Sequence, residues 1–223
     1  MERRRSRRRR RRGLPRRALG RAEPLLRRRR RGRTSPRRRV RRRRRPASRR
    51  PRDRGDPVIQ IRPAEPADAK ALVDLAQQIG AEAGAWLLTT DVWRDVGEER
   101  RYLKAVRRHP DAAVFVADAS GAIVGRLSLG RDPHPASRHV ADLGLMVAAG
   151  HRGLGVGRAF LDQAVTWARA GGIRKLELHV LPWNEPAIRL YERYGFEREG
   201  LRRAHFLRGG DDVDAVLMAY FLP

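Results

Sequence analysis

The sequence predicts an α/β fold, a mixed sheet of about seven strands with helices on both faces. Three observations lead there. Segments with a two-residue and a 3.6-residue hydrophobic period follow one another as strand, helix, helix, three strands, helix, strand, helix, two strands. A glycine-rich turn joins one strand directly to the strongest amphipathic helix. And the part of the chain with these patterns is electrically balanced. The full 223 residues carry 52 basic and 25 acidic side chains, a net charge of +27. Thirty arginines and only Glu2, Glu23 and Asp53 fall in residues 1–55, leaving 22 side chains of each sign in residues 56–223. That second part is long enough for one hydrophobic core.

The elements follow in order. Residues 58–62 alternate as a strand that ends at Pro63. Asp68 is placed to open a helix whose apolar face is Leu72, Leu75, Ala76 and Ile79. A second helix is expected from about Asp91 to Arg108, stopped by Pro110. Three strands follow at 112–118, 122–130 and 138–148, the first pair joined by a Ser120-Gly121 turn. Residues 155–170 form a helix with Val156, Phe160, Ala164 and Trp167 on one side, ended by Gly171-Gly172. Residues 173–181 alternate as a strand, and a short helix runs from Asn184 to about Tyr194. A hairpin of 201–207 and 213–221 closes the chain.

Composition excludes several chemistries. There is no cysteine, so disulfides, thiolate zinc sites and a cysteine nucleophile are absent. Lack of disulfides fits a cytoplasmic protein, and no apolar run approaches the ~18 residues of a membrane span. The six histidines show no metal-ligand spacing, so no metal is expected; His134, His139 and His151 read as surface loop residues.

Residues 1–55 hold too few apolar side chains to fold alone. Two readings stand side by side. A start codon assigned too early in an arginine-rich, GC-rich gene would produce such a run, with Val58 as a candidate true start. A genuine tail would instead bind nucleic acid without sequence preference and with strong salt dependence, since the tract has no aromatic residue to stack on bases.

The chemistry concentrates in two motifs. From Val147 the chain runs through Arg152, Gly153, Leu154, Gly155, Val156, Gly157 and Arg158, a strand entering a glycine turn that opens a helix. The first amides of a helix lack internal partners and carry the positive end of its dipole, so an anion can sit there. No Gly-Lys-Ser/Thr follows, which separates the turn from a P-loop. The second motif comprises Asn184, Ala187, Leu190, Tyr191, Gly195 and Phe196.

Together, in this order, the two motifs resemble those of the GCN5-related N-acetyltransferase (GNAT) superfamily. There Arg/Gln-x-x-Gly-x-Gly/Ala binds the pyrophosphate of acetyl-CoA, and Asn-x-x-Ala-x-x-Leu-Tyr-x-x-x-Gly-Phe follows the next strand. The resemblance covers roughly residues 58–222, and is greatest to small bacterial enzymes that acetylate amino acids or related amines. It implies a GNAT-type, mostly antiparallel sheet in which strands 138–148 and 173–181 splay apart around acetyl-CoA, the co-substrate. The amides of Gly153–Arg158 would hold the pyrophosphate, with charge added by Arg152 and Arg158. The backbones of Leu145, Met146 and Val147 would pair with the pantetheine arm, and Asn184 would border it. Tyr191 stands where the family places the general acid for the CoA sulfur. For the base, His179 and Asp142 are rivals; the family's N-terminal acetyltransferases carry a glutamate where His179 stands. Without cysteine, direct attack in a ternary complex is the implied route.

The leading acceptor is a small-molecule amine such as an amino acid. A protein N-terminus or lysine is the alternative, and a nucleic-acid-binding acyl-CoA sensor is the non-enzyme rival. Dimerisation is common in the family, so a homodimer is an implied assembly. Trp86, Trp93, Tyr102 and His205 lie in the regions expected to choose the acceptor, without a pattern that assembles them.

Overall fold

The computed structural model describes residues 58–88 and 93–223. The arginine tract, with both its readings, and the expected helix start at Asp91 fall outside them. Seven strands form one sheet: β1 (Ile59–Pro63), β2 (Ala112–Ala119), β3 (Ala122–Arg131), β4 (Val140–Val147), β5 (Lys175–Val180), β6 (Glu197–Arg208) and β7 (Asp211–Phe221). Their spatial order is β1-β2-β3-β4-β5-β7-β6. Every neighbouring pair is antiparallel except β4 and β5, as the mostly antiparallel expectation required.

Four helices cover the two faces. α1 (Ala69–Gly80) and α2 (Val96–Val106) lie on one. Leu72 of α1 and Leu103 of α2 pack there on Val114 and Val116 of β2. α3 (Val156–Ala170) and α4 (Glu185–Tyr194) lie on the other. Phe160, Leu161 and Ala164 of α3 meet Leu127, Leu143, Leu176 and Leu178 of the sheet in the main core. The four apolar positions expected on α1 are all buried.

The first helix starts where the sequence reading put it, after Asp68, but without the side-chain cap, and the second starts later than expected. Asp68 precedes α1, but a 3₁₀ turn (Pro66–Asp68) comes first, and its carboxylate does not cap α1. It accepts instead from the Glu65 amide at 2.7 Å and binds Arg62 of β1 at 2.8 Å. α2 is capped by Asp95, whose side chain accepts from the Glu98 amide while Glu98 returns a bond to the Asp95 amide. This reciprocal box is a strong local start signal, and it moves the helix start to Val96.

The feature that positions the site is the pairing of β4 with β5. Only Val140, Ala141 and Asp142 of β4 pair with Lys175, Leu176 and Glu177. Beyond Asp142 the strands separate and leave a gap in the middle of the sheet.

Candidate active site

β4 runs past the gap into a 3₁₀ turn (Ala149–His151) and then into α3. Gly155, at the N-cap of α3, has φ +91° and no side chain to cap the first turn. The leading amides of α3 therefore lack a side-chain cap. The open space around Gly155 shows that its requirement is conformational rather than steric. Gly157 is small for another reason: a Cβ there would come within 2.7 Å of Leu190 on α4, so this glycine lets α3 and α4 approach.

The strand edge facing the gap can be worked out from parity. The Ala148 amide donates to Val124 of β3, and the Val140 carbonyl accepts from Asp132 just beyond β3. Backbone groups alternate sides along a strand. The even-numbered residues Asp142, Gly144 and Met146 thus face β3, while Leu143, Leu145 and Val147 face the gap. Of the three residues expected to offer their backbone, Leu145 and Val147 face the gap, and the Val147 carbonyl there accepts from the Nε of Arg152. Met146 does not: its backbone is paired with Arg126 of β3, and its side chain packs on Ile79.

A cleft of about 660 Å³ occupies this gap. Its walls include Leu145, Val147, Gly153, Gly155, Gly157 and Arg158, and on the far side His179, Asn184 and Tyr191. Most of the residues singled out in the sequence meet there. Three do not line it: Leu154 is exposed, the Val156 side chain is in the core, and Asp142 lies in the closed part of the β4–β5 pair. The Asp142 carboxyl is pushed upward by partial burial and by the charges of Glu177 and Asp132.

Arg152 lines the cleft, but its charge is committed. Its guanidinium binds both carboxylate oxygens of Glu82 at 2.6 and 2.8 Å, and its Nε donates to the Val147 carbonyl at 2.9 Å. It braces the turn against the segment after α1. Arg158 keeps its charge toward the cleft, stacked 5.7 Å over the ring of Tyr194.

Asn184 caps α4 by accepting from the Ala187 amide, and its amide nitrogen reaches the Trp86 carbonyl at 3.5 Å. The segment 82–86 is thus tied to α4, and also to β6, where Arg208 donates to the Ala85 carbonyl at 2.9 Å.

Tyr191 is 5% exposed and packs on Phe196 with ring centroids 5.6 Å apart. Its hydroxyl makes no hydrogen bond with a described residue. Burial pushes the phenol above its ordinary pKa, so it is protonated at neutral pH. His179 projects from β5 on the face of α1 and α2. Its Nε2 is buried without a hydrogen-bond partner among the described residues. The ring stacks on His205 at 5.3 Å and meets Phe206 edge-on at 5.8 Å. Burial, then the nearby charges of Arg202 and His205, lower its pKa and favour the neutral ring.

The sequence reading named Trp86 and Trp93 without assembling them, and it missed Arg126 and Ser128 of β3; all four line the cleft. Tyr102 and His205 stand one layer back, against Arg126 and His179. Arg126 gave no signal because one arginine in a strand reads as an outward polar position, whereas here it is buried against Glu99.

Comparison with known proteins agrees with this arrangement. The profile of the acetyltransferase (GNAT) family matches residues 81–196. An L-amino acid N-acetyltransferase of Escherichia coli is 32% identical over 165 residues, 72% of this chain and 96% of that protein. A GNAT-family acetyltransferase of Streptococcus pneumoniae is 28% identical, with a TM-score of 0.66 over 74% of this chain and 99% of that one. An acetyltransferase of Salmonella typhimurium, solved with its cofactor acetyl-CoA, shares the fold at 22% identity and a TM-score of 0.66, over 74% of this chain and 94% of that one. No helix among the described residues is long and apolar enough to cross a membrane. The motifs, the split sheet and these relatives converge: the chain belongs to the acetyltransferase (GNAT) family and is an acetyl-CoA-dependent N-acetyltransferase.

Proposed function

We propose that this enzyme acetylates a small-molecule primary amine, with an amino acid as leading acceptor, by direct attack in a ternary complex. One observation carries the reading. A single cleft joins an uncapped helix N-terminus, an open strand edge, a buried phenol and an unpartnered imidazole nitrogen. The relative from Escherichia coli, matched over nearly its whole length, supports the acceptor class.

Acetyl-CoA supplies the acetyl group as a thioester. The amides from Gly153 to Arg158, with the Arg158 guanidinium, are the groups that fit its pyrophosphate. The gap-facing backbone of Leu145 and the amide of Val147 suit the pantetheine arm, as an added strand would. Asn184 borders that arm, and Arg152 holds the turn in shape through Glu82.

The chemistry has proton transfers at both ends. An α-amine with pKa about 8 is roughly a tenth neutral at pH 7, so a base is useful. His179 takes one proton from the ammonium, and the neutral nitrogen then attacks the thioester carbon. Asp142, outside the cleft walls, is the rival base. The amide of Leu145 or Val147 stabilises the charge that builds on the carbonyl oxygen. As the carbon–sulfur bond breaks, Tyr191 gives its proton to the departing sulfur, and the second proton shed by the acetylated nitrogen restores the phenol.

The direct test is CoA release followed with a thiol reagent across free amino acids, polyamines, aminoglycosides and short peptides. The chain has no cysteine, so it adds no background. Turnover of amino acids is expected. Turnover confined to peptides or to aminoglycosides would overturn the acceptor class.

The anion cradle makes a separate prediction. Gly155→Ala forces an L-residue into the left-handed region, at about 1–2 kcal/mol. Acetyl-CoA should then bind about tenfold more weakly, measured by calorimetric titration. An unchanged affinity would remove the turn from the cofactor site.

A further inference from the structure

We propose that the cleft receives an acceptor bearing a carboxylate, and that the guanidinium of Arg126 and the indole N–H of Trp93 are the groups that take it. The inference deepens the small-molecule reading above and rests on it.

Arg126 rises from β3 on the face covered by α1 and α2. Its side chain is 6% exposed, yet it lines the cleft. Its ionic partner is Glu99 of α2, wholly buried, at 3.4 Å. Glu99 is shared: Arg94 approaches its other oxygen, also at 3.4 Å. One buried carboxylate therefore faces two guanidinium groups, and the cluster keeps one net positive charge beside the cleft. Two donors there are unused. Among the described residues the Nε of Arg126 and the Nε1 of Trp93 are both buried without a hydrogen-bond partner, as is Oε1 of Glu99, and the Arg126 guanidinium lies 5.0 Å from the Trp93 ring.

An unpaired buried donor is costly. Two of them at the wall of a substrate cleft are explained by an acceptor group that arrives with the ligand. The planar fork of an arginine is matched to a carboxylate. Four further arginines and no aspartate or glutamate line the cleft among the described residues; Arg152 and Arg189 are paired with Glu82 and Glu185, while Arg158 and Arg193 add to the positive sign. Such a field disfavours polyamines, aminoglycosides and lysine side chains, whose extra positive charges would find no partner, and it favours an aminocarboxylate.

Register adds the geometry of approach. Arg126 pairs with Met146 and Ser128 with Gly144 across β3 and β4. Continuing the β4–β5 register by two residues places His179 across the gap from Gly144. Ser128, Gly144 and His179 thus form a row across the sheet, with Arg126 one step along on the same face. The glycine leaves the floor low between the carboxylate site and the base. Ile79, Trp86 and Leu87 line the cleft too and offer apolar surface to the rest of the acceptor.

The test compares several apolar amino acids, each with its own amide and its decarboxylated amine, using the full chain and acetyl-CoA. For leucine the set is L-leucine, L-leucinamide and 3-methylbutylamine. The amides and simple amines should show kcat/KM on the order of 100-fold below the acids. Amides turned over as well as acids would overturn the carboxylate site while leaving the acetyltransferase reading intact. If no amine is turned over, the acceptor reading fails, and melting shifts with CoA plus N-acetyl amino acids or their amides decide the site. Preferential binding of the acids keeps it, and equal or absent binding overturns it. The double variant Glu99→Gln/Arg126→Met removes the arginine without stranding a buried carboxylate. It should bring the acid-to-amide ratio to near unity while acetyl-CoA still raises the melting temperature; a retained ratio would exclude Arg126.

Discussion

Replacing Tyr191 with phenylalanine is expected to lower kcat by on the order of 100-fold or more, with acetyl-CoA affinity and melting temperature essentially unchanged. The size follows from the leaving group. A departing thiolate needs a proton as the bond breaks, and the proposed mechanism takes it from the phenol. The lack of other effects follows from the packing. The hydroxyl holds no hydrogen bond to a described residue, so its loss strands nothing, and the ring keeps its contact with Phe196. A tyrosine with a purely structural role would give the opposite pattern, a lower melting temperature with kcat preserved. Steady-state kinetics beside thermal unfolding separates the two. An unchanged kcat would remove Tyr191 from the chemistry.

The second large effect is expected at His179. In the proposed mechanism its neutral form is the base, so activity should be present above its pKa and lost as pH falls through it. Burial and the charges of Arg202 and His205 hold that pKa below the ordinary value of about 6.5. The acid limb of kcat/KM therefore belongs below pH 6.5. His179→Ala should cost on the order of 100-fold at pH 7 and erase that limb, leaving a rate that rises with deprotonation of the amine itself. Asp142 provides the comparison. Its carboxyl is pushed upward by burial and by Glu177 and Asp132, so it too could shape an acid limb. If Asp142→Asn removes the limb and His179→Ala leaves it in place, the assignment passes to Asp142.

Both predictions concern residues that local patterns made visible. Tyr191 and Asn184 belong to a short motif on one helix, and the glycine turn is contiguous with the strand before it. Arg152 was visible as a residue but not in its role. Its partner, Glu82, is 70 residues away, and only their bidentate contact shows a brace where the motif suggested a free cation. β6 begins at Glu197 rather than near Leu201 for a related reason. It is an edge strand, exposed along almost its entire length, so it carries no buried face to set up an alternating pattern.

The chain's hydrophobic periods and turn residues were enough to establish the order and type of the elements, because those signals act over a few residues. The anion-binding turn and the general-acid candidate belong to the same class. The acceptor side of the cleft belongs to another. β7 rather than β6 lies beside β5, and a register shift between Arg202 and Phe206 accompanies the contact of His205 and Phe206 with His179. Arg126 is buried only because α2 brings Glu99 over β3, from 27 residues earlier in the chain. Such contacts depend on which strands pair and which helix crosses them. Those choices are made by burial of the core as a whole, and no local stretch of sequence records them.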